Sequence, residues 1–303
     1  QRALVVGAHV TGSGPAVFHS SKPRVVSLLS SATEWVYAVG AGHLLVGRSH
    51  ECDVPAEVRL LPVCSRPLID IDASSAEIDR QVKARQRNAL SIYAVDQDRL
   101  AELRPDVVLT QMQCEVCAVT AADVERALCT QIDQTVHIVS LSPETLEEVW
   151  ESGLTVGRTL GVTAEAERVV ADCRARLTRL TAHVDAWCRS QGARHRRLLC
   201  LEWMEPPMAA GNWMPELIRA AGAEPVFGVT GEHSPWLTWT AIAEADPDVI
   251  VLLPCGWGLE RTRRELACVM SQPEWPRLAA ARAGQVALAD GNRFFNRPGP
   301  RLV

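Results

Sequence analysis

Tyrosine and phenylalanine are scarce in this chain of 303 residues, at 2 and 4, while tryptophan reaches 9. No apolar run is long enough to span a bilayer and no secretory hydrophobic segment is visible, so nothing in these residues crosses a membrane. A start at Gln1 instead of Met leaves a removed leader or anchor open. No Lys/Arg-rich stretch with interleaved aromatics occurs, and the net charge of -5 offers no basic field for a phosphate backbone. Nucleic acid is therefore excluded as a partner. The G-x-S-x-G, GK[ST], HExxH and G-x-G-x-x-G patterns are all missing, which removes the common signatures of hydrolases, nucleotide-phosphate sites and zinc peptidases. The 10 cysteines are spaced too irregularly for a disulfide framework, and a chain of this length is stabilised by core burial.

What is present is a composition with 47% hydrophobic and 22% charged residues, enough to bury a large core in two domains or two lobes. Several tryptophans lie in segments that read as loops. An indole there either caps a core or grips a planar ligand, and the sequence leaves both readings open.

The pattern along the chain is α/β. Residues 1–23, rich in Gly, Ser and Pro, read as an irregular extension. A strand over Arg24 to Leu29 runs into Ser30-Ser31-Ala32-Thr33-Glu34, a cluster suited to capping a helix that reaches Gly40. Further helices are expected from Ser75 to Ala89, Asp96 to Leu103 and Thr120 to Leu128, with strands from Asp106 to Thr110 and Val136 to Leu141. From Thr145 to Ser190 the pattern is helical, broken near Gly161-Val162-Thr163. The α/β order then resumes, with strands over Arg197 to Leu201, Asp248 to Leu253 and Gln285 to Ala289, and helices over Met214 to Ala221, Thr240 to Glu244 and Leu259 to Met270. The two halves echo each other: Leu100 to Cys114 and Ile242 to Cys255 both read as a short helix, a Pro-Asp turn and a buried strand. The domains drawn from this are an N-terminal α/β lobe over 24–144, a connecting helix over 145–190 and a C-terminal α/β lobe over 191–303.

The segment RVVSLLSSATEWVYAVGAGHLLVGRSHECDVP (24–55), the LRPDVVL turn and strand, the long helix and DGNRFFNRPGPRLV (290–303) are similar to the helical-backbone, class III substrate-binding proteins of ABC transporters. Those proteins deliver cobalamin, siderophores or haem. Within them the chain most resembles the cobalamin-binding branch, including the algal cobalamin-acquisition proteins. The resemblance implies two Rossmann-like lobes joined by a long backbone helix, with a ligand cleft between the lobes. It also implies cobalamin or another corrinoid as ligand, no intrinsic cofactor, and no chemistry on the ligand. The implied partner is an ABC permease or other membrane uptake protein, in a periplasmic or cell-surface location. The cysteines and the lack of a visible signal peptide leave the cytoplasm open. By position, His50 falls where the cobalamin binders have a ring touching ligand. Met204-Glu205-Pro206-Pro207 with Gly211 matches their Pro-Pro loop. Pro235-Trp236 matches a Pro-Trp whose indole packs on the corrin, and Phe294-Phe295 with Arg297 matches an aromatic pair followed by Arg. The stretch Gln113-Cys114-Glu115-Val116-Cys117 departs from the pattern. Glu57 or Glu77, with Glu216, are the matching candidates for docking onto a permease.

Read on their own chemistry, His50 and Glu51 follow a strand and face a lobe edge. An imidazole there can stack, donate a hydrogen bond to a corrin amide or ligate a metal. Cys114 and Cys117 form one C-x-x-C, open to a redox, metal or packing role; His50 and Cys52 complete a metal set only if the two loops meet. Gln113 and Glu115 could instead serve the amide fringe of a corrinoid. Trp203, Trp213, Trp236, Trp239 and Trp257 cluster in the second half at expected strand ends and loops, suited to a flat macrocycle. The expected ligand site thus comprises His50, Glu51, Gln113, Glu115, the five tryptophans, Phe294, Phe295 and Arg297. Two alternatives stand beside it: a siderophore or haem carrier of the same fold, and a thiol- or metal-dependent corrinoid-handling enzyme built on His50, Cys52, Cys114 and Cys117.

Overall fold

The computed structural model describes residues 6–7, 22–88, 91–111, 136–192 and 194–303. Gln113, Cys114, Glu115, Cys117 and the helix expected over 120–128 lie outside the described residues. The chain forms two compact units that interleave in sequence. Unit 1 takes the residues up to Ile71, Gln81–Ser142 and Trp150–Ala171; unit 2 takes Asp72–Arg80, Pro143–Val149 and Asp172–Val303. The expected boundaries, drawn as consecutive blocks, follow the chain instead. Both long helices are divided between the units. The helix Thr163–Gln191 is divided after Ala171.

Unit 1 is built on strands β1 (Val6–Gly7), β2 (Val25–Ser27), β3 (Leu45–Arg48), β4 (Ser65–Pro67), β5 (Tyr93–Val95), β6 (Val107–Thr110) and β7 (His137–Ser140). Five of them form a parallel sheet in the order β1-β7-β6-β2-β3, and β4 pairs with β5 as an antiparallel ribbon. All residues of β2 and β6 are buried, the mark of a parallel strand covered on both faces. After β2 the chain enters the helix Ser30–Ala38, whose N-cap is Leu29 with no side-chain capping bond. The Ser/Thr cluster expected to cap this helix lies inside its first turns. One of its hydroxyls is engaged elsewhere: that of Thr33 sits 2.8 Å from Ser27 Oγ and 3.0 Å from Cys52 Sγ, both buried.

Unit 2 is built on β8 (Arg196–Met204), β9 (Pro207–Ala209), β10 (Ala223–Pro225), β11 (Val249–Leu252) and β12 (Val286–Leu288). The parallel order is β10-β8-β11-β12, with β9 turning back antiparallel on the end of β8. The helical stretch breaks where the sequence suggested, between Leu146–Thr159 and Thr163–Gln191, and Gly161 takes the left-handed φ of 74° that the break requires.

The echo between the halves is carried by matching bonds. In unit 1 the helix Gln97–Leu103 ends on Arg104 at φ 44°, and in unit 2 the helix Trp239–Ala245 ends on Asp246 at φ 41°. Asp96 and Thr238 cap the two helices through their side chains. After each Pro, an aspartate accepts from the backbone N–H that opens the neighbouring strand: Asp106 Oδ2 from Arg24 at 2.7 Å, Asp248 Oδ2 from Arg197 at 2.8 Å. Each of those arginines in turn donates to the last turn of the preceding helix, at Leu103 and Ala245. The staple fixes register where β2 meets β6 and β8 meets β11.

The amide of Arg197 and the guanidinium of Arg194 hold the Asp248 carboxyl below its usual range. A carboxylate with a depressed folded pKa stabilises above its unfolded value near 3.9, and that contribution is lost as pH falls through the folded value. Asp248→Asn should therefore destabilise the chain at neutral pH, and urea melts of variant and wild type should converge in acid, as pH falls through the depressed pKa of Asp248. An equal gap at neutral pH and in acid contradicts the staple.

Candidate functional site

In unit 1, loops leaving the carboxyl ends of β3 and β2 place Ser49 to Cys52 at the sheet edge. Arg48, the last residue of β3, donates from its guanidinium to the carbonyls of Ser49 and Cys52, so the loop is folded around a cation. His50 is half-buried. Its amide donates to Ser65 Oγ at 3.2 Å, its Nδ1 lies 2.9 Å from the same oxygen, and its ring tilts against Tyr93 with centroids 5.2 Å apart. The Tyr93 hydroxyl donates to Glu51 Oε1 at 3.4 Å. Burial first, and the Arg48 charge second, push the imidazole down to about 4, so it is neutral at physiological pH. Cys52 lies beneath, buried, its thiol within reach of Thr33 and Ser49 and raised by burial. Cys64 in unit 1 and Cys200 in unit 2 are pushed up by burial to about 12. These are packing thiols. Among the described residues no group of three His, Cys, Asp or Glu side chains is placed to hold a metal ion.

In unit 2, the carboxyl edge is assembled from the ends of β8, β11 and β12. Cys255 N donates to Glu202 O, and Asn296 Nδ2 donates to Leu253 O at 2.8 Å, joining the three loops. Gly291 has to be glycine: a Cβ there would lie 2.2 Å from the Leu253 carbonyl oxygen. Trp203 and Trp257 pack with centroids 5.1 Å apart, and the Arg261 guanidinium lies 4.7 Å from the Trp257 ring centroid. Arg261 is itself fixed by donating to the carbonyls of Asp72 and Ala73. Trp213 donates its indole N–H to Phe295 O at 2.9 Å, tying the aromatic pair to the rest of the edge. Residues 235–237 run antiparallel to β9, with Ala209 N bonded to Pro235 O and Leu237 N to Pro207 O.

That extension presents Trp236 with 49% of its surface exposed; Phe294 is 44% exposed, with Arg293 over its ring. The other expected rings are more enclosed. Trp239 is 8% exposed and packs edge-on against Trp275, which is a core position, and Trp257 is 6% exposed. Arg297 is buried. Of the docking candidates, Glu57 is exposed and Glu77 pairs with Arg80. Glu216 accepts from the amide of Leu146 at 2.8 Å and so serves a helix start. Sequence reasoning missed Ser65 and Tyr93 beside His50, and Arg261 beside Trp257. Arg261 stands four residues after Trp257 at a helix start, a spacing that could have signalled it. Ser65 is 15 residues from His50 and carried no local signal.

No described helix is long and apolar enough to cross a membrane. No curated protein sequence matches the chain. Among solved structures, a possible iron-binding, periplasmic solute-binding protein from Staphylococcus epidermidis superposes with a TM-score of 0.68 at 17% identity, covering 93% of this chain and 95% of that one. A periplasmic haem-binding protein from Pseudomonas aeruginosa gives 0.65 at 22% identity, over 89% and 85%. A periplasmic vitamin B12 binding protein from Vibrio cholerae gives 0.61 at 19% identity, over 92% of both chains. At these identities the likeness concerns the fold, the two-lobe α/β fold of class III binding proteins. The periplasmic binding protein family matches residues 25–292, and the chain belongs to that family.

Proposed function

We propose that the protein binds cobalamin or a closely related corrinoid outside the cytoplasm and passes it unchanged to a membrane uptake partner of the ABC-permease type. The observation that carries this reading is Trp236, a large flat apolar surface held open to solvent by a backbone-paired extension, with Phe294 exposed on the same unit. An exposed indole on a rigid support is suited to the face of a macrocycle. A corrinoid also carries a fringe of amides, which neutral donors and acceptors satisfy better than charges. On unit 1, the neutral His50 is such a group.

The described tyrosines and buried thiols are poorly placed to serve as haem ligands. Haem iron takes an axial Tyr, His, Cys or Met. Tyr93 is buried with its hydroxyl on Glu51, Tyr37 packs at the far end of its helix against Gly42, and the described thiols with resolved shifts are all raised. A thiol enzyme needs a thiolate at neutral pH, and Cys52, the described thiol of that alternative set, is raised by burial. The reading is tested by titrating the protein with aquocobalamin, hemin and a ferric hydroxamate, followed by absorbance and calorimetry. Aquocobalamin should bind at one per chain and at least about tenfold more tightly than the others, a gap of about 1.4 kcal/mol. Tighter binding of hemin would replace the corrinoid reading with a haem carrier.

A further inference from the structure

We propose that Ser65 locks His50 in the Nε2–H tautomer, so that the ring meets its ligand as a hydrogen-bond donor to an acceptor oxygen and not as a nitrogen ligand to a metal. The lock stands on the protein alone. Naming the acceptor, an amide carbonyl on the rim of a corrinoid, rests on the function proposed above.

The argument is one of hydrogen accounting. Ser65 is 4% exposed, and its hydroxyl has one hydrogen to give and two lone pairs to offer. One lone pair is taken by the amide of His50, an unambiguous donor, at 3.2 Å. Among the described residues, the only acceptor within reach of the hydroxyl hydrogen is His50 Nδ1, at 2.9 Å. Buried hydroxyls place their hydrogens on partners, so Oγ–H points at Nδ1, and the imidazole hydrogen sits on Nε2. The opposite tautomer would direct two hydrogens at Ser65 Oγ and strand its own.

A flipped ring would set a carbon, Cδ2, against Ser65 Oγ and leave that hydroxyl without a described acceptor. Tyr93 lies against the ring at 5.2 Å, and Tyr93 is anchored by its hydroxyl on Glu51. Nε2 makes no bond to a described residue, which leaves its hydrogen available. Protonation does not intrude near neutral pH, because burial and the Arg48 charge disfavour the imidazolium; Arg48, Glu51 and Tyr93 are the charged or titratable groups beside the ring. Ligation of cobalt or iron through Nε2 needs a lone pair there and the hydrogen on Nδ1. The Ser65 hydroxyl opposes that arrangement, so the loop discriminates by amide recognition and leaves the metal's own axial ligands in place.

The test uses the whole chain labelled with ¹⁵N histidine, without ligand, at pH 7. Long-range proton–nitrogen correlation should show His50 with a protonated Nε2 and an unprotonated, accepting Nδ1. Ser65→Thr, which keeps the hydroxyl, should preserve that pattern, and Ser65→Ala should give a mixture of tautomers. A wild-type ring protonated on Nδ1, or a Ser65→Ala ring unchanged from wild type, overturns the lock. Adding aquocobalamin should leave the corrin bands of the water-ligated form in place, and His50→Ala should weaken that binding about 3- to 10-fold, the worth of one hydrogen bond. A shift of the bands to those of a nitrogen-ligated cobalt overturns the proposal. A locked ring in a protein that fails to bind aquocobalamin would overturn the corrinoid reading and leave the tautomer assignment standing.

Discussion

On the function proposed above, Trp236→Ala should weaken corrinoid binding by about 1–3 kcal/mol, the scale expected when an aromatic anchor is truncated at a binding surface, and leave the melting temperature within about 1 °C of wild type. The separation of the two effects follows from exposure. Nearly half of the side chain faces solvent, while the backbone around it is fixed by the bonds of Ala209 and Leu237, which do not involve the indole. Calorimetric titration and a thermal melt on the same preparation measure both. Unchanged affinity with a lowered melting point would make Trp236 a packing residue. Trp239→Ala is the control: at 8% exposure, against Trp275, it should lose stability instead.

Trp35→Ala destabilises unit 1 by about 3–5 kcal/mol in urea unfolding, the cost of emptying a fully buried indole site. Trp35 has no exposed surface and meets the edge of Trp150 at 6.3 Å. Gly153 lies beneath its ring, where an added Cβ would come within 2.8 Å. A site so closely fitted on both sides has little freedom to collapse after truncation. A loss below about 1 kcal/mol would show that the helix Ser30–Ala38 is held by its backbone and termini and not by this indole.

The parts legible in the sequence are those whose patterns are fixed by burial on two faces or by a local turn. Strands β6 and β11 read as apolar runs because parallel strands are covered on both sides. The Pro-Asp turns that precede them read correctly because Pro cannot continue a helix. The helix Leu259–Met270 keeps its expected ends, and Gly161 marks the break in the long helical stretch. Strands β4, β9 and β10, each with a proline among its three residues, and the short β5 went unread. The cluster after β2 differs from the expected cap because a hydroxyl residue at a helix start and one inside the first turns look alike in sequence; Thr33 is told apart only by Ser27 and Cys52 placed against it. At the site, the sequence could pick out Trp203, Trp213, Trp236, Trp239 and Trp257 as a group. It could not sort the open indole from the enclosed ones, because the depth of a ring is set by loops that meet only in three dimensions. His50 was legible as a loop-edge imidazole, with stacking, donation and ligation all open; Ser65, on another strand, is what separates them.

On the proposed function, the protein holds a corrinoid and leaves it unchanged. The most direct measurement is to incubate the purified chain with aquocobalamin, remove free ligand by gel filtration, and quantify and identify by mass spectrometry what remains with the protein. Close to one intact corrinoid per chain should be recovered, with the axial water retained in the spectrum of the complex. Recovery of a modified corrinoid, or of no corrinoid under conditions where hemin is retained, would contradict it.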